Sequence, residues 1–237
     1  FWSIYTLDIY TAAVWGGILR SREQQSNVAY PTELDDELID EAGTHQARLG
    51  PVGTLNVHTD CWLSGWNFIT DLYRVLEHAL VRLRGHRNRV RRRSFLHDIF
   101  EDESHVTETS VCNSVLQMYI NLPSCFKKTP RMTYNVNEDR FGFQAANITA
   151  TVQLVRMVLF TAGGASIEER CLVAREVVDS FASMPVEYLV SISAPLLHHL
   201  GGIGAVLGSV FEEQISQLDY TRVRSIMLSM AQLLKNL

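Results

Sequence analysis

Apolar residues recur at intervals of three and four over long windows of this 237-residue chain, while alternating runs are short. That spacing gathers side chains on one face of a helix and does not fit a strand, whose side chains alternate with a period of two. The chain is therefore read as all-α, a single helical domain over residues 1–237 with about seven helices and no internal repeat. Helices are expected over 1–19, 55–83, 106–120, 141–160, 166–184, 186–214 and 219–236. In the second of these, Trp62, Trp66, Ile69, Tyr73, Leu76 and Leu80 form one stripe.

Local signals set several boundaries. Gly16-Gly17 weakens the end of the first helix, Pro123 stops the third, and Gly163-Gly164 follows the fourth. Ser166 with Glu169 three residues on predicts a capping box. Residues 20–53 are polar, acidic and rich in Pro and Gly, and read as a long surface crossing with a turn of helix at Glu33–Glu41. Residues 127–139 read as polar and extended. The first helix is apolar nearly all round, which predicts that it is buried rather than half exposed.

Charge is unevenly placed. The net charge is −5, yet eighteen of the twenty-one basic residues are arginine and seven of them lie between Arg82 and Arg93. An acidic body gives no global attraction to nucleic acid. The run RGHRNRVRRR, Arg84–Arg93, reads as a solvated linker neutralised by Asp98, Glu101, Asp102 and Glu103. An import signal and a phosphate contact are the functional alternatives.

Other features carry chemistry only weakly. Cys61, Cys112, Cys125 and Cys171 lie too far apart for a CxxC pair, and without a signal peptide they fit a reducing compartment. The sequon Asn147-Ile148-Thr149 falls in a helical pattern and reads as silent. Asp36 and Asp40 in ELDDELID share a helix face, as in the metal box of terpenoid synthases, but Asp35 has Ile39 as its partner. His198-His199 point about 100° apart on a helix and make a poor metal site. Gly201, Gly202, Gly204 and Gly208 read as small residues that let helices approach. The charge-free span Tyr188–Phe211 reads as a buried core helix, broken near Gly201-Gly202, rather than a membrane segment. No nucleophile elbow, zinc helix or phosphate loop is present. No catalytic, cofactor-binding or metal-binding residue is assigned, and the chain is not read as an enzyme.

The opening FWSIYTLDIYTAAVWG resembles the (F/W)WxxYxLD helix of fungal zinc-cluster transcription factors, in their middle homology or xylanolytic-activator regulatory domain. Phe1, Trp2, Tyr5, Leu7 and Asp8 match position by position. Gly16 matches the family's next glycine, whereas Gly17 and Ile18 replace its Arg-Pro. Tyr30-Pro31 and Leu34-Asp35-Asp36-Glu37 resemble the acidic segment that follows. Leu122-Pro123 with Phe126, Ala145-Ala146-Asn147, and Cys171 with Ala174 resemble later parts.

The resemblance implies a regulatory domain that does not itself touch DNA and controls transcriptional activation in the nucleus by sensing a metabolite or partner. DNA binding and zinc would belong to a module outside this chain. No cofactor is expected within it, and no membrane. Co-regulators, a small effector, or a second copy in the full-length protein are the implied partners. The aromatic first residue reads as the start of a piece of something longer, with earlier helices covering Phe1. Asp8, a carboxylate on an apolar helix, is expected to be structural, with a cap or an arginine from a neighbouring helix as its partner. Trp2, Trp15, Trp62 and Trp66 read as core, with an aromatic pocket as the functional alternative. A magnesium-dependent enzyme of the terpenoid-synthase kind is the alternative function.

Overall fold

The computed structural model describes residues 1–33, 39–40, 43–44, 61–91, 107–162, 166–191, 193–212 and 215–235, some of them by backbone alone. Among these are eight α-helices. They are α1 (Trp2–Trp15), α2 (Trp62–Arg91), α3 (Glu108–Asn121), α4 (Val136–Ala162), α5 (Ile167–Ala182), α6 (Val186–Ser191), α7 (Ser193–Gly208) and α8 (Gln217–Lys235). The all-α class follows, relieved only by a two-residue antiparallel pairing of Ile39–Asp40 with Gly43–Thr44.

The centre is α4. Its run from Ala145 to Leu159 buries Ala146, Ile148, Ala150, Val152, Leu154, Val155, Met157 and Val158, and α2, α3, α5, α6 and α7 all pack on it. A helix covered from so many sides must be apolar over most of its surface, and the polar groups it carries gain from partners on the helix itself or on a neighbour. Thr151 accordingly donates to the Asn147 carbonyl at 2.9 Å, and buried Arg156 donates to Gln153 Oε1 at 2.7 Å and to Glu176 Oε2 at 2.5 Å.

Several boundaries differ from expectation, each for a physical reason. The helix expected over 141–160 begins at Val136, because Asn135 caps it: its side chain accepts from the Asn137 N–H at 3.1 Å and its carbonyl from the Asp139 N–H at 2.9 Å. Asp139 then holds the preceding turn by accepting from the Thr133 N–H at 2.8 Å. That turn places exposed Tyr134 at φ 62°, in the left-handed region. The one long helix expected over 186–214 is two, α6 and α7. The chain runs helical through Gly201-Gly202, and Pro195 sits in the first turn of α7, where its missing N–H costs nothing. The capping box at Ser166 and Glu169 is present in both halves.

The arginine run was expected to be a linker, but α2 continues through it as far as Arg91. Arginine is a good helix former, so a basic run does not end a helix. Arg92 and Arg93 lie outside the described residues. So do the Gly163-Gly164 stop and residues 34–38 of the expected turn at 33–41. Ile39 and Asp40 are extended there rather than helical.

The largest correction concerns α1. Tyr5, Ile9, Tyr10 and Ala12 are buried against α2 and α7, but Ile4, Leu7 and Trp15 are exposed, as is Ile18 just beyond at 80%. An apolar composition requires contact on every face only if something covers every face, and no described element lies over this one. Gly16 ends α1 at φ 70°, a left-handed conformation that glycine adopts without a steric penalty.

Candidate functional site

Two features meet on the middle of α2: a polar strap that ties α1 to it, and a cavity on its other flank. The helices α1 and α2 run in the same direction, since Tyr5 meets Glu77 and the Ala12 carbonyl accepts from Arg84 Nη2 at 2.9 Å. The intervening chain must therefore travel back, and residues 20–33 do so along both helices.

Three residues of the opening motif, Trp2, Tyr5 and Asp8, hold part of that return, Tyr5 through Glu77 of α2. Asp8 Oδ2 accepts from the backbone N–H groups of Arg20 at 2.7 Å and Ser21 at 2.8 Å. Tyr5 donates to Glu77 Oε2 at 2.7 Å, and the same oxygen accepts from the Glu23 N–H at 3.2 Å. Trp2 Nε1 donates to the carbonyls of Val28 and Ala29, both at 3.1 Å, and its ring stands edge-on to Tyr30 at 4.7 Å. Asp8 is thus structural, as expected, but its partners are backbone amides of the strap and not an arginine.

The α2 side of the strap is ionic. Glu77, almost fully buried, also accepts from Arg22 Nη1 at 3.2 Å. Arg74 pairs with Glu23 through Nε and Nη2 and with Asp71 at 3.0 Å, and it lies over the Tyr30 ring. Tyr30 donates to Asp71 Oδ1 at 2.6 Å. Farther along, Asn67 donates to the Pro31 carbonyl at 3.2 Å, and Ser64 donates to Glu33 at 2.6 Å. Burial and the Glu77 hydrogen bond push the Tyr5 phenol well above its ordinary range, so it stays a donor. The Arg74 hydrogen bond holds Glu23 below the usual carboxylate range. A buried carboxylate accepting three hydrogen bonds is a satisfied structural group.

The cavity lies between α2, α3 and α4 and has a volume of about 250 Å³. Val75, Ala79, Val111, Leu159 and Ala162 line it together with His78, Arg82 and Glu108, and the His78 and Arg82 side chains are partly open to solvent. Arg82 Nη2 pairs with Glu108 Oε1 at 3.1 Å, joining α2 to the first turn of α3. His78 Nε2 stands 3.8 Å from Glu23 Oε1, so one histidine touches both strap and cavity. Two other recesses, of about 410 and 510 Å³, are shallower clefts against α8.

The remaining expectations separate. The four tryptophans do not line one pocket: Trp2 packs in the strap, while Trp15 stands thirteen residues farther along α1, roughly 20 Å away, and is exposed. Trp62 and Trp66 are half-buried near the start of α2. No disulfide joins the four cysteines, and burial pushes the Cys112 and Cys171 thiols up, which makes them poor nucleophiles. Asp36 and the side chains of Asp40, His198 and His199 lie outside the described residues. Among the described residues no group of three or more His, Cys, Asp or Glu could hold a metal, and no helix is long and apolar enough to cross a membrane. A Cβ at Gly202, Gly204 or Gly208 would sit in ordinary contact, so close approach does not demand glycine there. It does at Gly142, where a Cβ would lie 2.4 Å from Tyr188 Oη.

Trp2, Tyr5 and Asp8 stand out in the sequence pattern, whereas Glu77, Arg74, His78 and the cavity do not. Their partners lie far away in sequence, and no local spacing signals them. No family model, curated protein or solved structure matches the chain.

Proposed function

We propose that the chain is a non-catalytic regulatory domain of a fungal zinc-cluster transcription factor, acting in the nucleus through a DNA-binding module outside this chain. One observation carries the reading. Trp2, Tyr5 and Asp8, the polar and aromatic positions of the WxxYxLD pattern, hold one strap between two helices. That shared task gives the pattern a physical reason at its own spacing. The strap is built of hydrogen bonds and ion pairs, and its neighbour on α2 is a cavity. A molecule that binds one arrangement of these helices better than another shifts the balance between them, which is what regulation of an activation function requires.

The test is a fusion in which the chain is placed between a heterologous DNA-binding module and a strong activation segment in a fungal reporter cell. Output is expected to be lower than from the fusion without the chain, and to rise when Tyr5→Phe and Asp8→Ala loosen the strap. Equal output with and without the chain overturns the reading. Tight, magnesium-dependent binding of a prenyl diphosphate in calorimetry would favour the enzyme alternative instead.

A further inference from the structure

We infer that the cavity between α2, α3 and α4 binds a small aliphatic carboxylate. An apolar cavity of about 150 Å³ holds benzene, so the 250 Å³ here gives room for roughly ten non-hydrogen atoms. The walls contributed by Val75, Ala79, Val111, Leu159 and Ala162 are wholly aliphatic, which suits an alkyl chain and offers no hydrogen bond to a polar one. The polar lining groups are His78, Arg82 and Glu108, of which His78 and Arg82 are partly open to solvent and Arg82 pairs with Glu108. Of the three, Arg82 is the group that can only donate, so a head group that accepts hydrogen bonds suits it. Arg82 is the more accessible partner of its ion pair, with a side chain 41% exposed against 18% for Glu108. A guanidinium binds a carboxylate through two parallel N–H groups, better than it binds a hydroxyl.

Occupancy has a consequence for the fold. The incoming carboxylate competes with Glu108 for Arg82, and so exchanges the α2–α3 ion pair for a ligand contact. Glu108 loses little, because it lies in the first turn of α3, where the helix dipole favours an anion. The ligand thereby binds better to an arrangement in which the start of α3 is released from α2. His78 carries the same event toward Glu23 and the strap. The assignment of this molecule as an effector rests on the regulatory reading above, whereas its binding does not.

Calorimetric titration of the intact chain with octanoate tests binding, with octanol and octylamine as head-group controls. Octanoate is expected to bind at submillimolar concentration, and the two controls at least tenfold more weakly. Arg82→Gln, at a side chain 41% exposed and outside the buried core, is expected to weaken octanoate tenfold or more. Val111→Trp, at a half-buried wall position, is expected to abolish binding while the thermal transition is retained. No binding by the unmodified chain, equal binding of octanol or octylamine, or unchanged binding by Arg82→Gln each overturns the proposal. Octanoate that binds but leaves the reporter fusion unaltered overturns the effector role alone. A fusion that represses without any octanoate binding overturns this site and leaves the regulatory reading standing.

Discussion

The Tyr5 hydroxyl donates to the buried Glu77 carboxylate at 2.7 Å, joining residues seventy-two positions apart in sequence. Tyr5→Phe removes the donor and leaves Glu77 in the core with one partner fewer. A hydrogen bond to a buried charge is worth about 2 kcal/mol, and the variant is expected to lose that much in urea denaturation. Leu7→Ala, two residues on but 60% exposed, is expected to stay within about 0.5 kcal/mol. Equal losses from the two would show that the Glu77 contact contributes nothing particular.

Asp8→Ala strips the acceptor from two consecutive backbone amides. Its carboxylate is half-exposed, and water replaces part of what is lost, so a cost of about 1 kcal/mol is expected in thermal melting. Asp8→Asn, which keeps one acceptor oxygen, is expected to fall between the two. An unchanged melting temperature for Asp8→Ala would remove its structural role.

Gly142 and Gly202 predict opposite outcomes for the same substitution. Alanine at 142 drives a methyl group into the Tyr188 ring, buried at 1%, and is expected to destabilise by about 2 kcal/mol or more. Alanine at 202 meets Leu154 at 3.6 Å, an ordinary contact, and gains helix propensity of up to about 1 kcal/mol. Calorimetric melting of both variants decides it, and destabilisation at 202 would mean that the glycine has another task.

Glu23 sets a pH dependence. Its pairing with Arg74 lowers its pKa in the folded chain, so the unfolded chain takes up a proton at higher pH. The pair's contribution is therefore complete at neutral pH, starts to fade as pH falls through the ordinary glutamate range, and is gone once pH passes below the folded-state value. Urea midpoints measured from neutrality into acid are expected to fall more steeply for the unmodified chain than for Glu23→Gln. Asp139 and Glu169, held low by the Thr133 and Ser166 backbone N–H groups, add slope in the same direction and remain in that variant. Parallel curves would show that the Arg74 pairing does not couple to folding.

The helices were legible wherever apolar spacing or a cap spoke locally, as on the Trp62–Leu80 stripe of α2 and at Ser166. The exposed side of α1 was not, because periodicity reports what a helix is made of and not what lies over it. The arginine run is helical as far as Arg91 although its charge suggests a linker, because charge signals solvation, and a solvated segment can be helix as readily as linker. Of the candidate site, the motif residues Trp2, Tyr5 and Asp8 were visible. Glu77, Arg74 and the cavity walls were not, for they become neighbours only when α1, α2, α3 and α4 have assembled.

The return of the chain between α1 and α2 is fastened by side chains, not by a backbone ladder. Asp8 grips it at Arg20 and Ser21, Glu77 at Arg22 and Glu23, Trp2 at Val28 and Ala29, and Asn67 and Ser64 at Pro31 and Glu33. Covalent continuity through the middle of this stretch is thus not what keeps it in place. A protease that cuts once between Gln24 and Asn27 would leave two new ends, each still anchored on its own side, and the nicked protein would migrate as an intact one until denatured.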